Sequence, residues 1–304
     1  MWDVLAFGAL AVDEIFYVNG FPSPNSKHEV RATDRESGGL AGNVLVTVAR
    51  MNLSAAYCGV FGNNELSRFS RLQLEDEGVD CSACTAAEPA RPFHSFVIVD
   101  DSTGSRTILY SSEGVTEPAS DIITQELIEN CRVLFVDHTA SNASLRAARI
   151  ARSAGIPVVA DIERIESPAV NELLDISDHL IVGIEFGRTQ TGRIAPEEVV
   201  VALAAASRRV VVVTAGESGC WWQETGGPVT HQEAFSVPVV DTLACGDVFH
   251  GAYAATVAEG RSPAEAVLRA TAAAALKAAR RGGRSGIPRR HEVESLLENC
   301  HADC

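Results

Sequence analysis

The chain predicts a doubly wound α/β fold: a mostly parallel sheet with helices on both faces, carrying a small β-sheet lid. Three observations lead there. Short apolar runs alternate with amphipathic stretches along most of the 304 residues, two turn-rich strand pairs interrupt that alternation, and no repeat or long linker divides the chain. Parallel neighbours need a crossover, usually helical, to return the chain, and strands covered on both faces read as unbroken apolar runs. A single domain spanning residues 1–304 follows, rather than two independent ones.

The opening WDVLAFG is brief, apolar and ends in glycine, which makes it a buried strand. After the glycine pair 38–39, LAGNVLVTVARM has helical spacing, and AAYCGVFG returns to strand. CRVLFVD, IPVVAD, DHLIVG and RRVVVVTAG are the later strands, separated by helices in SLRAARIARSAG, Pro168–Leu174 and PEEVVVALAAAS. Residues 14–33 and 92–110 read as strand pairs with turn-rich links and no helix to cover them, so they are expected to pair as a discontinuous lid over the core.

Composition narrows the function. With 25 basic and 40 acidic residues the formal charge is −15, which disfavours nucleic acid and anionic membranes as partners; an anionic ligand then needs a locally positive pocket. No secretion signal is read at the N-terminus and no apolar stretch approaches membrane-spanning length, so a cytoplasmic enzyme is expected. The eight cysteines are dispersed and read as reduced thiols. Cys81 and Cys84 form a C-x-x-C pair, but a structural zinc ion needs two further ligands, and only Cys300, His301 and Cys304 offer themselves.

The most informative stretch is VVDTLACGDVFHGAYAATVAEG, residues 239–260. It predicts a strand ending at Asp241-Thr242, a turn of small residues and a helix from about Asp247, with Phe249, Tyr253 and Val257 at four-residue spacing. Such a turn exposes backbone N–H groups at the positive end of a helix and holds anions. A carboxylate there repels a phosphate. Asp247 is therefore either an ordinary helix cap or a base that takes a proton from an attacking hydroxyl.

Asp241-Thr242-Leu243-Ala244-Cys245-Gly246-Asp247 resembles the D-T-x-G-A-G-D signature of the PfkB, ribokinase-like carbohydrate kinases, with Ala-Cys standing for the usual Gly-Ala. The resemblance implies that Asp247 is the catalytic base and that Ala244, Cys245, Gly246 and Asp247 cradle the γ-phosphate of ATP. Gly38-Gly39-Leu40-Ala41-Gly42-Asn43 resembles the family's G-G-x-x-x-N. With Gly8 and Asp13 on the first strand, it implies that Asp13, Gly38, Gly39 and Asn43 bind sugar hydroxyls. Thr214-Ala215-Gly216-Glu217-Ser218-Gly219 resembles the family's T-x-G-x-x-G along the nucleotide, which implies roles for Thr214, Gly216 and Gly219; by the same resemblance Ala273, Lys277 and Gly283 border the adenine. The N-x-x-E element keeps only its acid, Glu185, as a candidate Mg²⁺ ligand. Some members bind a monovalent cation such as K⁺, which implies Asp241 and Ser285 as participants.

DVFHGA and LKAARRGGRSGIP look like the sulfofructose kinase branch. A sulfonate or phosphate tail needs a fixed Arg or Lys. Val136-Asp137-His138-Thr139 has none, and Arg106 is the nearest alternative, so a neutral hexose, pentose or ketose is expected. No G-x-x-x-x-G-K-S/T motif occurs, which disfavours a P-loop kinase, and neither His138 nor His250 receives a catalytic role. The resemblance implies an ATP-dependent sugar kinase working with Mg²⁺, as a homodimer. A nucleoside kinase of the same fold and a sensor without catalysis are the rival readings.

Overall fold

A computed structural model describes the backbone of residues 1–302 and the side chains of residues 1–299, so the side chains of the candidate tail ligands Cys300, His301 and Cys304 lie outside what it describes. Strand β1 (Trp2–Phe7) is followed by a hairpin, β2 (Ala11–Val18) and β3 (Ala32–Gly38), and then by α1 (Leu40–Arg50). β4 (Ala55–Tyr57), β5 (Val60–Phe61), α2 (Glu65–Asp76) and β6 (Thr85–Ala86) lead to a second hairpin, β7 (Phe93–Asp100) and β8 (Arg106–Ser111). After α3 (Gln125–Glu129) the chain alternates through β9 (Cys131–Asp137), α4 (Ser141–Ser153), β10 (Val158–Asp161), α5 (Pro168–Ile176), β11 (His179–Gly183), α6 (Ile184–Thr191), α7 (Pro196–Leu203) and β12 (Val210–Thr214). β13 (Cys220–Glu224) and β14 (Thr230–Gln232) precede the closing helices α8 (Cys245–Ala258), α9 (Pro263–Ala278) and α10 (Arg290–Ala302).

The large sheet runs β14-β13-β12-β11-β10-β9-β1-β4, parallel from β12 to β4, with β13 and β14 antiparallel at one edge. Successive residues of its strands enter opposite cores. Val4, Ala6, Val133 and Phe135 pack with α1, α8 and α9, whereas Leu5, Phe7, Leu134 and Val136 pack with α4, α5 and α7. That double burial is why these strands carry no polar alternation. The order reverses beside β1, which has β4 on one side and β9 on the other. Ligands of open α/β sheets bind outside the carboxyl ends of strands at such a switch point.

The lid is a separate sheet, β3-β2-β7-β8, in which β2 and β7 run parallel. Its inner face buries Ile15, Tyr17, Val97 and Val99 around Leu243, a residue of the small-residue turn. The lid and the predicted anion hole thus share one apolar contact.

Two local expectations are corrected. AAYCGVFG is not one strand: β4 belongs to the large sheet, while β5 pairs with β6 in a two-stranded sheet of its own. Residues 239–242 are not a strand either. Pro238 lacks a donor, and the Val240 and Asp241 amides donate to the Ala278 carbonyl at the end of α9 instead. Helix α2 was not foreseen; Asn64 caps it by accepting from the Ser67 amide at 3.0 Å. Cys81 and Cys84 are free thiols. No described helix is long and apolar enough to cross a membrane.

Candidate active site

The site begins with α8. Ala244 precedes it in the left-handed conformation, φ 63° and ψ 9°, and offers no side-chain cap. Among the described residues the Gly246 and Asp247 amides have no acceptor, and the Cys245 amide reaches the Thr242 carbonyl only at 3.4 Å. A side chain built on Gly246 would meet no atom within 4 Å. A fourteen-residue helix therefore presents unpaired donors to open space.

The turn is anchored from below. The Asp241 carboxylate accepts from the Leu243 amide at 2.8 Å and the Gly282 amide at 3.0 Å. Lys277, wholly buried, donates to the carbonyls of Asp241 and Arg280 at 3.0 and 3.2 Å.

Asp247 meets Asn43 because α1 and α8 touch one turn further along. A Cβ on Gly251 would fall 2.5 Å from Thr47 Cβ and 2.7 Å from the Val44 carbonyl, so only glycine permits this approach. Four residues earlier on each helix, Asn43 Nδ2 donates to Asp247 Oδ2 at 2.7 Å. Gly39 sets the start of α1: its φ is +89°, and a side chain there would strike the Ala9 carbonyl at 2.5 Å. The Asn43 amide oxygen is buried without a partner and is free to accept from a ligand.

Burial pushes the Asp247 carboxyl up to about 7; the Asn43 bond and Arg106 oppose that rise, while Glu163 and Asp13 add to it. Asp13 is pushed up to about 6, again chiefly by burial, against a hydrogen bond from Ser95 and the positive charge of Arg284. Its register explains its company: Asp13 faces Glu36 on β3 and Ser95 on β7. Gly38 lies directly against its carboxylate.

These groups share a cleft of about 300 Å³, roofed by β7 and β8 and floored by the carboxyl ends of β1, β9 and β10. Asp13, Gly39, Asn43, Ala244, Gly246 and Asp247 all line it. Arg106 lines it from the lid, donating to Thr242 Oγ1 at 3.1 Å in the turn before α8.

The remaining expected residues lie elsewhere. Thr214 ends β12 beside Gly183, and Gly216 and Gly219 bound the short turn after it, on the same edge of the sheet but outside the cleft lining. Glu185 sits in the first turn of α6, exposed and paired with Arg188 at 2.8 Å. Ala273 and Lys277 are fully buried, and the Lys277 ammonium is spent on two carbonyls, so neither side chain offers a face to a nucleotide. Gly283 is buried against Leu243. Asp241 uses both carboxylate oxygens on backbone amides, and Ser285 Oγ reaches the Arg281 carbonyl at 3.4 Å.

Glu163, Arg164, Tyr110 and His138 are among the lining residues not assigned from sequence. The usable signal was position. Glu163 and Arg164 follow IPVVAD after one intervening residue, Ile162, and His138 follows CRVLFVD, where strands of a doubly wound sheet deliver their ligands. His250, by contrast, binds the Gly246 and Ile181 carbonyls at 2.8 and 3.1 Å and supports the helix.

Comparison with known proteins fits this geometry. The sequence model described as pfkB family carbohydrate kinase matches residues 1–290. The ribokinase of Haemophilus influenzae is 26% identical, covering 96% of this chain and 97% of its own. Fructokinase-1 of Oryza sativa subsp. japonica is 28% identical over 97% and 98% of the two chains. Among solved structures, the Thermotoga maritima ribokinase superposes with a TM-score of 0.83 at 25% identity, covering 98% of this chain and all of its own. An Agrobacterium tumefaciens chain, provisionally described as a ribokinase, reaches 0.91 at 30% identity over 99% of each. Matched along nearly its whole length, and with unpaired helix amides, a carboxylate and a cleft under the small sheet in one place, the chain belongs to the pfkB family of carbohydrate kinases.

Proposed function

We propose that the protein is an ATP-dependent sugar kinase in which Asp247 is the general base. The observation that carries this reading is the Asp247 carboxylate, held by Asn43 at 2.7 Å beside the acceptor-free amides of Gly246 and its own backbone. In the reaction, the acceptor oxygen forms a bond to the γ-phosphorus as the bond from that phosphorus to the ADP oxygen breaks. The hydroxyl proton passes to Asp247. Amides at the start of α8 stabilise the charge on the transferring group, with Arg106 above them.

Asp13, Gly38, Gly39 and Asn43 bind the sugar hydroxyls in this reading, and ATP runs along Thr214, Gly216 and Gly219 toward the hole. Glu163 supports a divalent cation, since it faces Asp247 and has no hydrogen bond or ion pair among the described residues. Mg²⁺ bound there would neutralise phosphate charge; Glu163, and Glu185 further along the same sheet edge, would hold it through water. The lid, joined to the hole through Leu243, closes over the substrates and keeps water from the γ-phosphate. On its outer face Phe96 and Leu109 stand opposite each other, 40% and 58% exposed, which supports a homodimer through the lids.

The test is ADP release by the purified chain with ATP and Mg²⁺ over a panel of sugars, sugar acids and nucleosides. Turnover on sugar acceptors is expected. Turnover confined to nucleosides, or ligand binding with no turnover on any acceptor, would refute the reading in favour of a nucleoside kinase or a sensor.

A further inference from the structure

One end of the cleft carries Arg164 and His138 beside the acidic Glu163. Arg164, in the segment after β10, donates from Nη1 to the Tyr110 hydroxyl at 2.7 Å, and its guanidinium carbon lies 5.4 Å from the Tyr110 ring centroid. The Arg164 side chain is 41% exposed and its Nε is ion-paired with Glu166 at 3.1 Å, which leaves Nη2 without a partner among the described residues. His138 lines the same cleft, is only 3% exposed, and has no partner on either ring nitrogen. Buried ring nitrogens such as those of His138 normally find a partner in protein or ligand.

Their placement relative to the sugar subsite follows from the lid's register. Asp13 on β2 faces Ser95 on β7, which faces Tyr110 on β8. Two interstrand spacings, roughly 10 Å, separate the ends of that row. Asp13 occupies one end and the Tyr110–Arg164 pair the other, and all of these residues line the cleft. A small sugar held at Asp13 and Asn43 spans the row when it is extended and ends at the guanidinium.

Resting on the kinase reading above, we propose that the acceptor is a sugar acid whose anionic group pairs with Arg164, fixed by Tyr110, and accepts a second hydrogen bond from His138. The sequence placed no arginine in Val136–Thr139 and pointed to a neutral sugar. The missing cation comes instead from the neighbouring strand end. A chain of charge −15 that takes an anion needs such a localized positive site, and a guanidinium offers two parallel donors to a carboxylate, sulfonate or phosphate.

The test uses the full chain with ATP and Mg²⁺ and compares D-ribose and D-fructose with a carboxylate (2-dehydro-3-deoxy-D-gluconate), a sulfonate (6-deoxy-6-sulfo-D-fructose) and a phosphate (D-ribose 1-phosphate). One of the three acids is expected to exceed both neutral sugars in kcat/KM, and which one identifies the anion. Arg164→Met should raise KM for that acid by about 10- to 100-fold, the worth of a charged hydrogen-bonding partner. The rise should be selective, with KM for that acid moving at least about tenfold more than KM for the neutral sugars, and Arg164→Lys should recover part of the loss. Neutral sugars used as well as the acids, or an unchanged KM in Arg164→Met, would overturn the proposal while leaving the kinase reading standing. Calorimetric binding of the same compounds separates the two failures. An acid that binds through Arg164 without turnover would sink the kinase reading and keep the subsite, whereas no acid binding at all would sink the subsite.

Discussion

Replacing Asp247 by Asn separates the chemistry of the site from its stability. The substitution keeps shape and removes the base. General-base catalysis contributes about 10²- to 10⁴-fold, so turnover is expected below about 1% of the wild-type value. In the wild type the carboxyl must lose its proton to act. With a carboxyl pushed up to about 7, kcat/KM should fall about tenfold per pH unit below neutrality and level off above it.

Stability should move the other way. The folded state holds the Asp247 proton more tightly than an unfolded chain, whose carboxyl sits at 3.8. Stability from this group is therefore full below about pH 4 and is lost as the pH rises to about 7. The loss corresponds to a cost on the order of 4 kcal/mol at higher pH. An Asn carries no such charge, and its amide can donate to the unpartnered Asn43 oxygen. Thermal unfolding from pH 4 to 8 should show Asp247→Asn gaining on the wild type through this window, with ADP release measured on the same samples. Turnover within tenfold of wild type, or a stability difference that does not change with pH, would refute the reasoning.

Asn43→Ala removes the hydrogen bond that holds the Asp247 carboxyl down, so the break in the kcat/KM profile should move above pH 7, and sugar KM should rise. Glu36→Gln weakens the tie between the lid and residues 284–285, where the carboxylate accepts the Arg284 amide at 2.7 Å and faces its buried guanidinium. Losing that charge should cost about 3 kcal/mol, seen as a lower midpoint in urea unfolding. Lys277 already places an ammonium between the Asp241 and Arg280 carbonyls, so exchanging K⁺ for Na⁺ or choline in the assay should change turnover by less than about twofold; a steep K⁺ dependence would assign that role to another site.

The parallel core could be read from sequence because a sheet buried on both faces forces apolar runs such as RRVVVV and CRVLFV, and each run needs a crossover of readable length. The short or polar elements could not. Helix α2 carries three buried residues and follows two asparagines, and β5 and β6 are two residues each, so neither periodicity nor length announces them. The segment at 239–242 looked like a strand because its valines are branched, yet its amides found the end of α9 before they found a sheet edge.

By itself the sequence determined which residues could do chemistry at the small-residue turn, since a helix start with free amides and an acid is a local arrangement written in contiguous residues. Tertiary structure decided who stands opposite them. Asn43 and Asp247 are 204 residues apart and meet only because Gly251 lets α1 and α8 touch. The lid's register set Asp13 in line with Tyr110, and the end of β10 delivered Arg164 to the same row. The same step turned Lys277 from an expected nucleotide neighbour into an internal cation, because one face of a helix becomes interior only when another element covers it.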